Sequence, residues 1–240
     1  ALAIAWASAA GAQGDGRSSR GFVWEATRGA ERVLLFGSMH VGRTGSAAAY
    51  GAERPGLRDA QVIAFEANVF DAQAALAATQ RWAMYAEGSP GLDAHVDAAL
   101  LARIEKRAER AGGGVPLCCR MKPWMVANTL ITLEAMRAGL SPAYGSEAQL
   151  YLFAMSSGRP VVEIESIEEQ LRLFDDATPG AQVDYLRNTV ETIENGASRI
   201  EIERLLQAWE RGDAGAMERL VDEMARSEHA AQRFLAEQIV

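Results

Sequence analysis

Apolar and polar positions along the chain follow two rhythms. Four short runs are apolar almost without a break: "FVWEAT" (22–27), "RVLLFG" (32–37), "QVIAFEA" (61–67) and "PVVEIES" (160–166). Runs of this length, bounded by Gly, Pro or charge, predict strands buried within a sheet. Arg28-Gly29-Ala30-Glu31 separates the first two and predicts a hairpin turn. Elsewhere apolar positions recur at helical spacing, and helices are predicted over 70–87, 92–111, 122–139, 146–157, 179–195, 198–211, 213–225 and 228–239.

Breakers support these bounds. Pro90-Gly91 stands just before 92, and Asn195-Gly196 separates two helices. Gly112-Gly113-Gly114 follows a helix rather than a strand, which predicts a C-cap and linker instead of a phosphate loop. From 179 onward the pattern is wholly helical, with Ile200, Leu205, Leu206 and Trp209 turned to a core. The predicted class is α/β in the mixed α+β sense. Small, mostly buried sheets are surrounded by many α-helices, and the C-terminal half is helix-rich.

Composition changes this picture in three places. The net charge of −8, with no Lys/Arg cluster, argues against a nucleic-acid partner. The opening "ALAIAWASAAGAQGDG" is Ala-rich and uncharged until Asp15. It is too short to span a bilayer, which needs about 20 apolar residues. Ala10-Gly11-Ala12 puts small residues where a signal peptidase reads, so residues 1–12 are expected to be the end of a secretory signal. The protein is then expected to be periplasmic or secreted, and bacterial. The two cysteines, Cys118 and Cys119, are adjacent, so there is no disulfide framework and no C-x-x-C metal site. Two buried or half-buried thiols are expected.

Candidate chemistry sits at strand ends, where functional groups of a sheet often collect. Gly37 closes the run Val33–Phe36, and His40, one of three histidines, follows. Glu66 ends Val62–Phe65, and Glu165 follows Val161–Ile164. An imidazole and carboxylates on one side of a sheet would make either a divalent-metal site or a general acid/base pair. His95 and His229 lie among polar residues on predicted helices and are explained by solvation.

The order of several motifs resembles the TraB/GumN family, to which TIKI metalloproteases and the erythromycin-esterase and ChaN-like proteins are related. "LLFGSMHVG" is similar to its Gly-x-x-His motif, at Gly37 and His40. "AQVIAFEAN" carries Glu66, and "MKPWMVANTL" matches a Lys-Pro-Trp segment at Lys122, Pro123 and Trp124. "YGSEAQLYLFAMSSGRPVVEIESIEEQ" resembles the segment that opens a helix on Gly-x-Asp/Glu, placing Gly145, Glu147, Glu165 and Gln170. "LLQAWERGD" is similar to Ala-Trp-x-x-Gly-Asp, at Trp209 and Asp213. The resemblance covers most of 20–239.

The resemblance implies one site built from His40, Glu66 and Glu147, with Glu165 behind them. It also implies a divalent ion, manganese or cobalt, held by these four, and peptide cleavage. Glu147 follows Tyr144-Gly145-Ser146, where the first turn of a helix favours an anion and Ser146 is expected as N-cap. Trp209 is expected in the core, and Asp213 as a helix cap. A second Gly-x-x-His, which the family carries beyond its Ala-Trp-x-x-Gly-Asp segment, does not occur. The expected organisation is therefore a family domain over 20–240, truncated on its C-terminal side. The functional expectation is a metal-dependent hydrolase of peptides or other small amides and esters. A metal-free form would have His40 and a glutamate activate water directly. The alternative is a non-catalytic regulatory protein that binds a peptide or small ligand on the same fold.

Overall fold

The computed structural model describes residues 21–44, 56–110 and 120–226. The leader at 1–12, Gly112 to Gly114, both cysteines, His229 and the helix expected at 228–239 lie outside the described residues.

All four strand runs form strands. β1 (Phe22–Arg28) and β2 (Glu31–Gly37) make an antiparallel hairpin, with Phe22 opposite Gly37 and Arg28 opposite Glu31. β4 (Ile63–Phe65) and β6 (Val161–Glu163) pair in parallel. The chain between β4 and β6 is a long crossover, as a parallel pair requires. A third pair, β3 (Gly42–Arg43) with β5 (Leu140–Ser141), is antiparallel and only two residues long, too short to leave a sequence pattern.

The hairpin corrects one expectation. Its strands are not buried: Val33 and Leu35 are 55% and 54% exposed, and Trp24, stacked on Phe22, is half-exposed. Within the four longer strands burial belongs to Ile63 and Phe65 of β4, whose side chains alternate inward, and Leu140 of β5 is buried as well.

Eight α-helices are described. α1 (Ala72–Ala78) is capped by Asp71, whose side chain accepts from Gln73 and Ala74 N–H groups. It runs into a π-turn at 79–83 rather than reaching 87, because Met84 becomes extended and bridges Met121. α2 (Ala98–Arg110) is preceded by a separate 3-10 turn at 92–94, and Asp97 accepts from the Leu100 N–H. α3 (Pro123–Arg137) starts on proline, and α4 (Ser146–Ser157) ends at Gly158 with φ 63°. α5 (Ile167–Asp175) was not among the expected helices; Ser166 and Glu169 start it with a capping box. α6 (Pro179–Glu194), α7 (Ala197–Arg211) and α8 (Ala214–Ala225) fall within a residue of expectation. Among the described residues no helix is long and apolar enough to cross a membrane.

The main core lies between α2, α3 and α6, around Leu100, Ile104, Trp124, Leu130, Leu186 and Val190. Full burial of one such side chain stabilises by roughly 1.5–3 kcal/mol. A second cluster packs Ile63 and Phe65 on Leu150 and Ala154 of α4, with Phe36 of β2 at its margin. A third joins Ala135, Leu140 and Leu206, with Met39 and Val41 packed against it. These two smaller clusters hold the segment that carries His40.

Candidate functional site

β2 stops at Gly37, and Ser38 to Val41 lead into β3. Met39 and Val41 pack on the third cluster, so the residue between them faces out. The His40 side chain is 77% exposed. Its Nδ1 lies 2.6 Å from Oε2 of Glu147 on the first turn of α4, across 107 positions of sequence. The Glu147 side chain is only 17% exposed. Its other oxygen, Oε1, accepts from the Ser38 hydroxyl at 3.1 Å.

Two glycines permit this approach. A Cβ on Gly42 would lie 2.1 Å from the Tyr144 carbonyl oxygen, and one on Gly145 would lie 2.5 Å from the His40 carbonyl oxygen. Both distances are shorter than any side-chain atom tolerates, so the loop can meet the start of α4 only where side chains are missing. Gly37 serves differently: its carbonyl accepts from the Trp209 indole N–H at 2.7 Å.

Ser146 departs from its expected role. Gly145 is the N-cap of α4, and Ser146 stands one position inside. Its fully buried hydroxyl accepts from the Met39 N–H at 2.7 Å, and its own N–H donates to the Met39 carbonyl at 2.8 Å.

Electrostatics follow the geometry. The hydrogen bond from Glu147 raises the His40 pKa above its ordinary 6.5 against the opposing cost of desolvation, and the charges of Glu147 and Glu66 add to the rise. Burial pushes the Glu147 carboxyl up, but the His40 hydrogen bond and charge and the Ser38 hydroxyl outweigh it, and the net shift is downward. Glu66 is exposed at the end of β4, close enough for its charge to be felt at the ring. Glu165 is exposed beside it, and its N–H donates to the Glu66 carbonyl at 2.8 Å. The two acidic strand ends therefore adjoin through backbone.

The remaining motif residues serve the frame. Lys122 pairs with Asp175 of α5 at 2.6 Å, and its N–H donates to the Ala83 carbonyl. Pro123 is buried, and buried Trp124 stacks on Phe174. Gln170 is half-buried on α5. Trp209 is 2% exposed, and Asp213 caps α8 through the Ala216 N–H. His95 is exposed to solvent, as expected, and stacks on Tyr85. A cavity of about 250 Å³ lies between α3, α6, α7 and α8, with Tyr185, Thr189 and Leu220 in its wall and none of the His40 pair.

Residues 22–239 match the model of the TraB/PrgY/gumN family. The chain belongs to this family. No curated protein and no solved structure matches it. In this TraB/PrgY/gumN chain an imidazole and oxygen donors suit several divalent ions by type. Their arrangement does not fit one: among the described residues no three His, Cys, Asp or Glu side chains converge where an ion could be held. Nδ1 of His40 is engaged by Glu147. Strand ends point to His40, Glu66 and Glu165, and the TraB/PrgY/gumN motif to Glu147; neither marks Ser38 or Ser146 as part of the site. The signals for the two serines are the position of Ser38 next to Gly37 and that of Ser146 at the start of a predicted helix.

Proposed function

We propose that this protein is a hydrolase of peptides or other small amides or esters, with His40 as general base and Glu147 as the carboxylate that orients it. The observation that supports this reading is the 2.6 Å contact between an exposed imidazole and a largely buried carboxylate. With Nδ1–H donating to Glu147, the ring holds its Nε2 lone pair outward, where it can take a proton from water. Glu147 then stabilises the imidazolium, which returns the proton to the leaving group. Glu66 adds negative charge beside the ring and favours its protonated form.

The manganese or cobalt ion implied by the family resemblance, which His40, Glu66, Glu147 and Glu165 would hold, does not fit these residues as they are arranged, and His40 and Glu147 act without it. We also propose export from a bacterial cell, a reading supported by the Ala-rich residues 1–12.

The test is a peptide-library cleavage assay with metal analysis, on the full chain and its His40→Ala, Glu147→Gln and Glu66→Ala variants. A folded His40→Ala protein should lose roughly 10²–10⁴-fold in rate, the usual range for a positioned acid/base group. Cleavage unchanged by both His40→Ala and Glu147→Gln would remove the assignment. Specific peptide binding without cleavage would favour the binding-protein reading.

A further inference from the structure

A carboxylate held by one oxygen can still swing, because the terminal torsion of Glu is broad. Glu147 is held by both. Oε2 meets His40, and Oε1 accepts from Ser38, which lies two residues earlier on the same loop. The loop therefore grips one carboxylate from two sides. Between those two contacts Met39 is bound to Ser146: its N–H donates to the Ser146 hydroxyl at 2.7 Å, and its carbonyl accepts from the Ser146 N–H at 2.8 Å. Ser146 is 0% exposed, so water does not compete for these bonds. The Ser146 hydroxyl also comes within 3.3 Å of the same carbonyl.

From this geometry we infer that Ser38 and Ser146 are positioning residues, which fix the Glu147 carboxylate and the Met39 backbone so that His40 points its free nitrogen in one direction. Ser146 sets where the loop sits on α4, and Ser38 sets the rotation of the carboxylate. Neither hydroxyl contacts the ring, so both act through Glu147 and Met39. The inference rests on the reading of His40 as the base. A purely structural role would use the same bonds to hold the fold, so the test must observe the ring itself.

That test is proton NMR of the substrate-free full chain, following the His40 Nδ1 proton and the exchange of the Met39 amide. In the wild-type protein the Nδ1 proton should appear as a distinct downfield resonance, protected by its bond to Glu147. Ser38→Ala should broaden that resonance beyond detection with the rest of the spectrum unchanged, and Ser38→Thr, which keeps a hydroxyl, should restore it. Ser146→Ala should speed exchange at the Met39 amide by about 10-fold, the value of one lost hydrogen bond, with core amides unaffected. No Nδ1 resonance in the wild-type protein, or an unaltered one in Ser38→Ala, would overturn the inference. An unaltered Met39 exchange in Ser146→Ala would overturn its Ser146 half. Because no substrate is present, the outcome is separable from the proposed activity. A tied ring in a protein that cleaves nothing would sink that activity and leave the positioning intact.

Discussion

In the α2–α3–α6 core, Leu92, Leu100, Ile104, Trp124, Leu186 and Val190 are at most 1% exposed. On the β4–β6 pair, Val162 and Ile164 are 46% and 70% exposed, and the hairpin shows Val33 and Leu35 to solvent. The first region is held by close-packed apolar side chains, whose energy scales with buried area. The second is held near His40 by two small apolar clusters and a few directional contacts: two serine hydroxyls, one indole N–H and two glycines that allow backbones to touch. The apolar core and the candidate site are thus separated in space, and a change in one region should leave the other largely intact.

The largest expected effect is on turnover. His40→Ala should cut cleavage roughly 10²–10⁴-fold with a smaller loss in thermal midpoint, because the largely buried Glu147 carboxylate loses its imidazole partner. Rate assays and thermal melts on the same sample would check both halves. Ile104→Ala is the mirror case: a cavity at a 0% exposed site should cost about 2–5 kcal/mol of unfolding free energy in denaturant titration, with the pH profile of cleavage unmoved. Gly145→Ala should weaken both properties. Its Cβ would meet the His40 carbonyl, an overpacking that costs about 1–3 kcal/mol, and it should also displace the loop that carries the ring.

Smaller effects come from titration. The His40 pKa is raised above 6.5, so its contribution to stability is complete below 6.5 and fades as pH climbs through the raised value. The Glu147 pKa is lowered from 4.5, so its contribution is present above 4.5 and fades as pH falls through the lowered value. Denaturant titrations from pH 3 to 9 should therefore show the difference between wild type and Glu147→Gln at its greatest between about 4.5 and 6.5. Cleavage should run the other way, rising with pH as the ring loses its proton. Glu66→Gln should move that midpoint down less than Glu147→Gln, because the hydrogen bond outranks the more distant charge. Smallest of all, Leu35→Thr on the open hairpin face should change stability by no more than about 0.5 kcal/mol.

Local pattern made most of the fold legible. The strand runs and seven helices announce themselves through periodicity, Pro and Gly. α5 is masked although Ser166 and Glu169 spell a capping box, because the apolar run 160–166 reads as a strand and the helix begins where that run stops. β3 and β5 escaped because two residues carry no period. The exposure of the hairpin could not be inferred either, since an apolar run reports what a strand prefers and not whether anything covers it. In the site, His40 and Glu66 are legible from their places at strand ends, and Glu147 through the family motif. The grip of Ser38 and Ser146 is not, because those bonds span 109 and 107 positions and leave no local spacing to detect.

The Trp209 indole holds the Gly37 carbonyl from 172 positions away, and the Trp209 carbonyl in turn accepts from the Gly21 N–H. The entrance to the histidine loop is thereby hung from the last turn of a late helix. Synthesis must have passed α7 before that entrance can take its shape, so a nascent or clipped chain ending inside α6 would carry His40, Glu66, Glu147 and Glu165 and still lack the contact that seats the loop.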